Sequence, residues 1–248
     1  MKKLLLLFSI NLLTFKLIAC VCEPTSITQQ LLTANFVAIA DITETFNNEE
    51  GKYFYKVNLN VDQQYKGDKS INSINVGGYS GLDKNIYSSC EIKLISGSKW
   101  LIFGYKNKDG NLTTGMCSVY RAEKFYLDQL KALPILEILK NQKELIKSNY
   151  PRFETGIEYN VPKTYVTGKI SDYMLVSIKL DSNAKISNIN FLTSDNPIAK
   201  QRVEKTIKKF NFKAFLDKHK ISYSKGYLYV VELYPYTSMV EPDLKLYK

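Results

Sequence analysis

Tyr55-Lys56-Val57-Asn58-Leu59-Asn60-Val61-Asp62 alternates apolar and polar residues at every step. A period of two places Tyr55, Val57, Leu59 and Val61 on one face of a strand and leaves the other face to water. The run ends in Tyr65-Lys66-Gly67-Asp68, a turn. Upstream, Phe36-Val37-Ala38-Ile39-Ala40-Asp41-Ile42 is a second β-rich run, apolar almost throughout. Downstream, Ile71 to Val76 reads as a short strand closed by Gly77-Gly78, and Tyr79 to Ser89 reads as a polar loop leading to Cys90. Trp100-Leu101-Ile102-Phe103-Gly104-Tyr105 reads as a buried strand. Asn107-Lys108-Asp109-Gly110-Asn111 carries the Asp-Gly signal of a hairpin turn. Leu112 to Tyr120 is then expected to return as its partner strand, bearing Cys117. Short antiparallel strands at this spacing predict a small barrel or sandwich.

After Arg121 the period changes. Tyr126, Leu127, Leu130 and Leu133, then Ile135, Leu136, Ile138, Leu139, Leu145 and Ile146, repeat at three and four. Pro134 divides two expected helices and suits the first turn of the second, which should end near Ser148-Asn149-Tyr150-Pro151. Residues 150–164 contain Pro151, Gly156 and Pro162 with little periodicity and read as a linker. A second unit, 165–248, follows. It has a strand at Leu175 to Leu180, a turn at Asp181-Ser182-Asn183-Ala184-Lys185, and a return strand from Ile186 to Leu192. A helix opens at Asn196-Pro197 and runs through Phe210 with Ala199, Val203, Ile207 and Phe210 on one face; a last strand spans Gly226 to Tyr236. The order is ββαβ, so the whole chain is expected to be α+β.

The 248 residues are 45% hydrophobic and 23% charged, an ordinary globular composition. Lys2 and Lys3 precede an apolar core from Leu4 to Phe15, too short and too interrupted for a transmembrane helix and suited to a signal peptide over residues 1–19. The chain is then exported: periplasmic, cell-surface or secreted. The formal charge of +10 loses Lys2, Lys3 and Lys16 with that segment. Arg121, Arg152 and Arg202 are the only arginines. Base and phosphate recognition favours the bidentate arginine fork, so a lysine-dominated surplus argues against nucleic acid as a partner.

Export implies an oxidising compartment, where four cysteines pair. Cys20 and Cys22 are too close to bridge each other within the required geometry. Two pairings with Cys90 and Cys117 remain, each closing a long loop. A four-cysteine zinc site is the rival reading, although C-x2-C knuckle spacing is missing at both ends.

The stretch from Cys20 to Tyr120 resembles the netrin-like domain and, within it, the tissue inhibitors of metalloproteinases. Four features carry the resemblance: the mature start Cys20-Val21-Cys22-Glu23-Pro24, the strand in Thr33 to Ile42, the long strand Tyr55 to Gly67 with its aromatic-Lys-Gly turn, and the hairpin from Lys99 to Cys117. The resemblance implies a five-stranded OB-type β-barrel with flanking helices over residues 20–149. It also implies the connectivity Cys20–Cys90 and Cys22–Cys117. The second unit, with Val176 to Leu192, the helix after Pro197 and the strand Tyr227 to Leu233, resembles more weakly the C-terminal domain of TonB-type proteins, a binding module.

The netrin-like resemblance gives Cys20 a chemistry. In those inhibitors the α-amine and carbonyl of the mature N-terminal cysteine chelate a target protease's zinc. An α-amine with a reference pKa of about 7.7–8.0 yields its proton to a metal near neutral pH. Carried over, Cys20 is the chelator, Val21 enters the protease's specificity pocket, and Cys22 and Pro24 shape the inhibitory edge. The expected partner is a protein, with metalloproteases as the implied class. Against this, Leu17-Ile18-Ala19-Cys20 also resembles a lipobox, and a lipidated Cys20 would make the chain a structural or adaptor lipoprotein of a bacterial cell envelope, held at a membrane. No enzymatic activity, cofactor or intrinsic metal is expected. His219, the only histidine, lies in a Lys-rich stretch and reads as a surface residue, Glu49-Glu50 reads as a solvated turn, and neither G-x-S-x-G nor a phosphate-cradling glycine loop occurs. Tyr227, Tyr229, Tyr234 and Tyr236 read as sheet residues able to line an edge.

Overall fold

The computed structural model describes residues 22, 26–82, 91–129, 132–142, 174–193, 197–218, 220, 222–223 and 227–233. The expected signal peptide and the 150–164 linker lie outside these residues. The described chain is mixed α+β and begins with helix α1 (Ile27–Thr33). Strands β1 (Phe36–Thr45), β2 (Phe54–Lys66), β3 (Ser73–Gly77), β4 (Lys99–Lys106) and β5 (Leu112–Thr114) follow, then a 3-10 turn (Met116–Ser118) and β6 (Val119–Arg121). Helices α2 (Lys124–Gln129) and α3 (Ala132–Lys140) come next.

Five of these strands close on themselves in the order β1-β2-β3-β5-β4-β1, the closure being the antiparallel β1–β4 pairing, Phe36 opposite Gly104 through Asp41 opposite Lys99. The β3–β5 seam is parallel and short, Asn75 opposite Thr113 and Val76 opposite Thr114. The barrel is OB-like. Its interior is filled by Phe36, Ala38, Ala40, Ile42, Tyr55, Val57, Leu59, Ile74, Val76, Trp100 and Ile102. The alternation in β2 is realised on one side, with Tyr55, Val57 and Leu59 buried, while Val61 at the far end is half-buried.

β1 and β4 are buried on both faces. Their other side presents Val37, Ile39, Leu101 and Phe103, which pack beneath Ile27, Leu31 and Leu32 of α1 and Ile135, Leu136 and Leu139 of α3. A strand covered on both sides needs apolar residues at every position, which is why these two runs lack alternation. Pro134 falls in the first turn of α3, where its missing N–H costs nothing.

The expected single strand from Leu112 to Tyr120 is corrected to two. β5 pairs with the end of β4, Tyr105 opposite Thr113, whereas β6 pairs with its start, Ile102 opposite Val119. The register slips by three residues between them, and the 3-10 turn takes up those three, carrying Cys117 out of the ladder. The continuation of the helical region to Ser148 lies outside the described residues; α3 runs to Lys140.

A second, three-stranded antiparallel sheet has the order β8-β7-β9, with β7 (Met174–Leu180), β8 (Ile186–Phe191) and β9 (Tyr227–Leu233). Between β8 and β9 stand two helices where one was expected, α4 (Pro197–Ile207) and α5 (Phe212–Lys218). The first ends at Ile207, short of the expected Phe210, and the second, which was not expected, is capped by Asn211, its side-chain oxygen accepting from Ala214 N at 3.0 Å. One face of β7 (Met174, Val176, Ile178, Leu180) packs with Ala199, Val203, Ile207, Phe212, Phe215 and Leu216. Its other face contributes Leu175 to the cluster formed by α1, α3 and the outside of the barrel. Among the described residues no helix is long and apolar enough to cross a membrane.

Gly67 ends β2 at φ +105°, and a Cβ there would stand 2.9 Å from the backbone oxygen of Asn35. That combines a left-handed backbone with a clash against main chain that cannot rotate away. Gly67→Ala is expected to destabilise the fold by about 2–3 kcal/mol in urea denaturation, and a loss below roughly 0.5 kcal/mol would show that the turn relaxes freely.

Candidate functional site

The candidate site is the N-terminal edge, and three devices fix the chain around it. The first is the disulfide between Cys22 and Cys117, with Cα atoms 5.4 Å apart. It pins the segment before α1 to the 3-10 turn between β5 and β6. Two of the four cysteines are thereby joined to each other, which removes the thiolates that a four-cysteine zinc site would use. The second is α1 itself. Ser26 caps its N-terminus, accepting from Gln29 N at 3.1 Å. Gln30, buried in the interface, donates from Nε2 to the Tyr120 hydroxyl on β6. The amphipathic face of α1 seats on β1 and β4.

The third device is Lys66, at the end of β2. Its ammonium donates to the Leu31 and Leu32 carbonyls at 3.0 and 2.7 Å, satisfying the last turn of α1. Burial lowers its pKa to about 8. The sequence signals Lys66 only as the middle of an aromatic-Lys-Gly turn; nothing in that pattern indicates a helix cap 35 residues away.

The segment 91–94 is clamped separately. The buried Tyr55 hydroxyl donates to the Ile92 carbonyl at 2.7 Å and accepts from Leu94 N at 3.0 Å. Burial raises the Tyr55 pKa to about 12. Glu91 lies against Gly78, where a Cβ would come within 2.8 Å of its Cγ, and its Oε1 is buried without a hydrogen-bond partner. Beyond this segment an open groove of about 470 Å³ is lined by Lys93, Ile95, Ser98, Lys99, Trp100 and Arg121. Its charges are largely compensated. Lys99 lies 3.1 Å from Asp62 and 3.6 Å from Asp41, and Arg121 lies 3.7 Å from Glu123 while stacking over the Trp100 indole.

Of the residues singled out from sequence, the structure places Cys22 and joins it to Cys117 as the resemblance implies. Cys20, Val21, Pro24, Cys90 and His219 lie outside the described residues, so the Cys20–Cys90 bridge does too. Tyr234 and Tyr236 also lie outside. Glu49 is exposed in the β1–β2 turn and pairs with Lys52. Among the described residues no three His, Cys, Asp or Glu side chains converge as a metal site. No protein-family model matches the chain, and no curated protein matches its sequence.

Lys66 gives the site a pH signature. A lysine whose folded pKa lies near 8 releases its proton before the unfolded chain does, so the unfolded state binds more protons between about pH 8 and 10.5. Stability conferred at Lys66 therefore rises with pH across that window. Above pH 10 the raised pKa values of Tyr55 and Tyr65, each about 12, act in the opposite direction. The stability difference between the wild type and Lys66→Met is expected to shift in the wild type's favour by on the order of 1 kcal/mol from pH 7.5 to 10, the partial exposure of the ammonium screening the rest. A pH-independent difference in denaturant titrations would mean that the ammonium is not desolvated.

Proposed function

We propose that the chain is an exported, non-enzymatic binding protein whose netrin-like barrel presents its mature N-terminus to a metalloprotease. The observation that carries this reading is the Cys22–Cys117 bridge, which anchors the residue two beyond Cys20 to a closed five-stranded barrel. A chelating N-terminus needs that anchorage, because a flexible end would lose ordering entropy on meeting the zinc. In this mechanism the Cys20 α-amine, unprotonated, and its carbonyl oxygen close on the target's zinc. A Cys20–Cys90 bridge holds them rigid, Val21 fills the adjoining pocket, and Cys22 and Pro24 shape the rim. The barrel supplies position and no chemistry of its own. The unit 165–248 is read as a small TonB-C-like α+β domain that binds a further protein; its three-stranded sheet covered by α4 and α5 supports an α+β module.

The Leu17-Ile18-Ala19-Cys20 pattern favours a second reading, an envelope lipoprotein anchored through Cys20. Lipid on Cys20 takes its sulfur from any disulfide, and acylation of the amine removes the chelator. Intact-mass measurement of the exported protein separates the two, since a chain starting at unmodified Cys20 fits inhibition and an added diacylglycerol mass excludes it. The functional test is an inhibition assay against a panel of zinc endopeptidases with the mature chain and a form extended by one residue before Cys20. The extension is expected to abolish inhibition. Equal inhibition by both forms would overturn chelation through Cys20.

A further inference from the structure

The formal charge of this chain is distributed unevenly. Residues 20–142 hold thirteen basic and thirteen acidic side chains. Residues 197–225 hold nine basic and two acidic, a surplus of seven. Apart from the three lysines in residues 1–19, the net charge of the whole chain therefore equals that of one segment. The segment is α4, α5 and their flanks.

The structure turns that surplus outward. Ala199, Val203 and Ile207 face the β-sheet from α4, and Phe212, Phe215 and Leu216 face it from α5. Arg202 and Lys205 stand on α4 away from its sheet-facing residues and are exposed, as are Lys208 and Lys209 in the turn after it and Lys213, Lys218 and Lys220. The acids within the segment are engaged locally: Glu204 with Lys208, and Asp217 with Lys213 at 2.7 Å. The opposite face of β7 is already committed through Leu175 to the α1–α3 layer, so α4 and α5 form the outer layer of the fold. At the leading end of α4, Ile198 is 61% exposed beside this basic face.

We infer that the outward face of α4 and α5 docks on the surface of an anionic phospholipid bilayer. The charge complementarity is direct. Two short helices lying on one sheet offer a broad lysine surface in place of a cleft. Eight of the nine basic residues are lysines, whose mobile ammonium groups suit a fluid array of headgroups, whereas the scarcity of arginine leaves few bidentate forks for nucleic acid. An exposed isoleucine at the edge can enter the interfacial region, as apolar residues of peripheral helices do. This surface does not depend on the fate of Cys20, and it acts whether or not the barrel inhibits a protease.

The test uses the exported mature protein in vesicle co-sedimentation, with vesicles of phosphatidylcholine alone or with about 30% phosphatidylglycerol at about 0.1 M salt. Binding is expected only to the anionic vesicles and is expected to be released by about 0.5 M salt, which would not release an acyl anchor. Each basic residue near such a surface contributes about fivefold, so the triple variant Arg202→Gln, Lys205→Gln, Lys209→Gln should lower partitioning by about a hundredfold. A charge-retaining variant, Arg202→Lys, Lys205→Arg, Lys209→Arg, should bind as the wild type does, which separates lost charge from lost folding. Neutralising the exposed barrel lysines Lys52, Lys56 and Lys69 should change binding less than about threefold. No binding to anionic vesicles, undiminished binding by the Gln triple variant, or an equal loss on neutralising the barrel lysines would each overturn the proposal. So would tighter binding of the wild type to duplex DNA than to the vesicles.

Discussion

β1 is the strand that the rest of the molecule depends on. It pairs with β2 on one edge and with β4 on the other, and it is buried on both faces. Each of those four commitments excludes water from a different side. The β4 edge closes the barrel, and the inward face fills it with Phe36, Ala38, Ala40 and Ile42. The outward face, with Val37 and Ile39, requires a cover, and α1 with α3 provides one. Register shifts along β1 against β2 accommodate the bend that closure demands. Helix α1 is therefore part of the barrel's own solution to burial.

This explains how far the sequence could be read. The alternation of β2 is legible because one face meets water. The unbroken apolar runs of β1 and β4 announce strands but cannot say what covers the second face, since the covering residues in α1 and α3 lie far away in sequence. The Asp-Gly hairpin was visible, whereas the three-residue slip that lifts Cys117 out of the ladder was not. That slip answers to the β3–β5 seam and the pairing of β6 with β4, both long-range. Asn211 illustrates a local miss: it caps α5 just past the expected end of α4, and the seven residues of α5 are too few to show a helical period. At the candidate site, the resemblance alone implied Cys22–Cys117, since spacing left two pairings open, but Lys66 could not be recognised as a cap, because a lysine in a turn carries no trace of the carbonyls it will meet.

The molecule separates its two physical tasks. The barrel and its helices carry balanced charge, and their ion pairs, such as Lys99 with Asp41 and Asp62, lie at the surface where each contributes little. The β8-β7-β9 sheet instead supports a strongly basic layer whose inner side is an ordinary apolar core. Through Leu175 on one face and Met174, Val176, Ile178 and Leu180 on the other, β7 contributes to both cores.

The disulfide has a consequence in time as well as in space. Cys22 and Cys117 are separated by 95 residues, and at a synthesis rate of about 5–20 residues per second the first sulfur waits roughly 5–20 seconds for the second. During that interval Cys90 emerges and is the earlier partner on offer. The barrel cannot guide the choice yet, because β4 and β5, which position the 3-10 turn, are among the last of its strands to appear. Correct pairing is direct where β1 meets β4 before the thiols oxidise and otherwise needs thiol–disulfide exchange, so that the order of emergence, and not only the final geometry, is a constraint under which this chain folds.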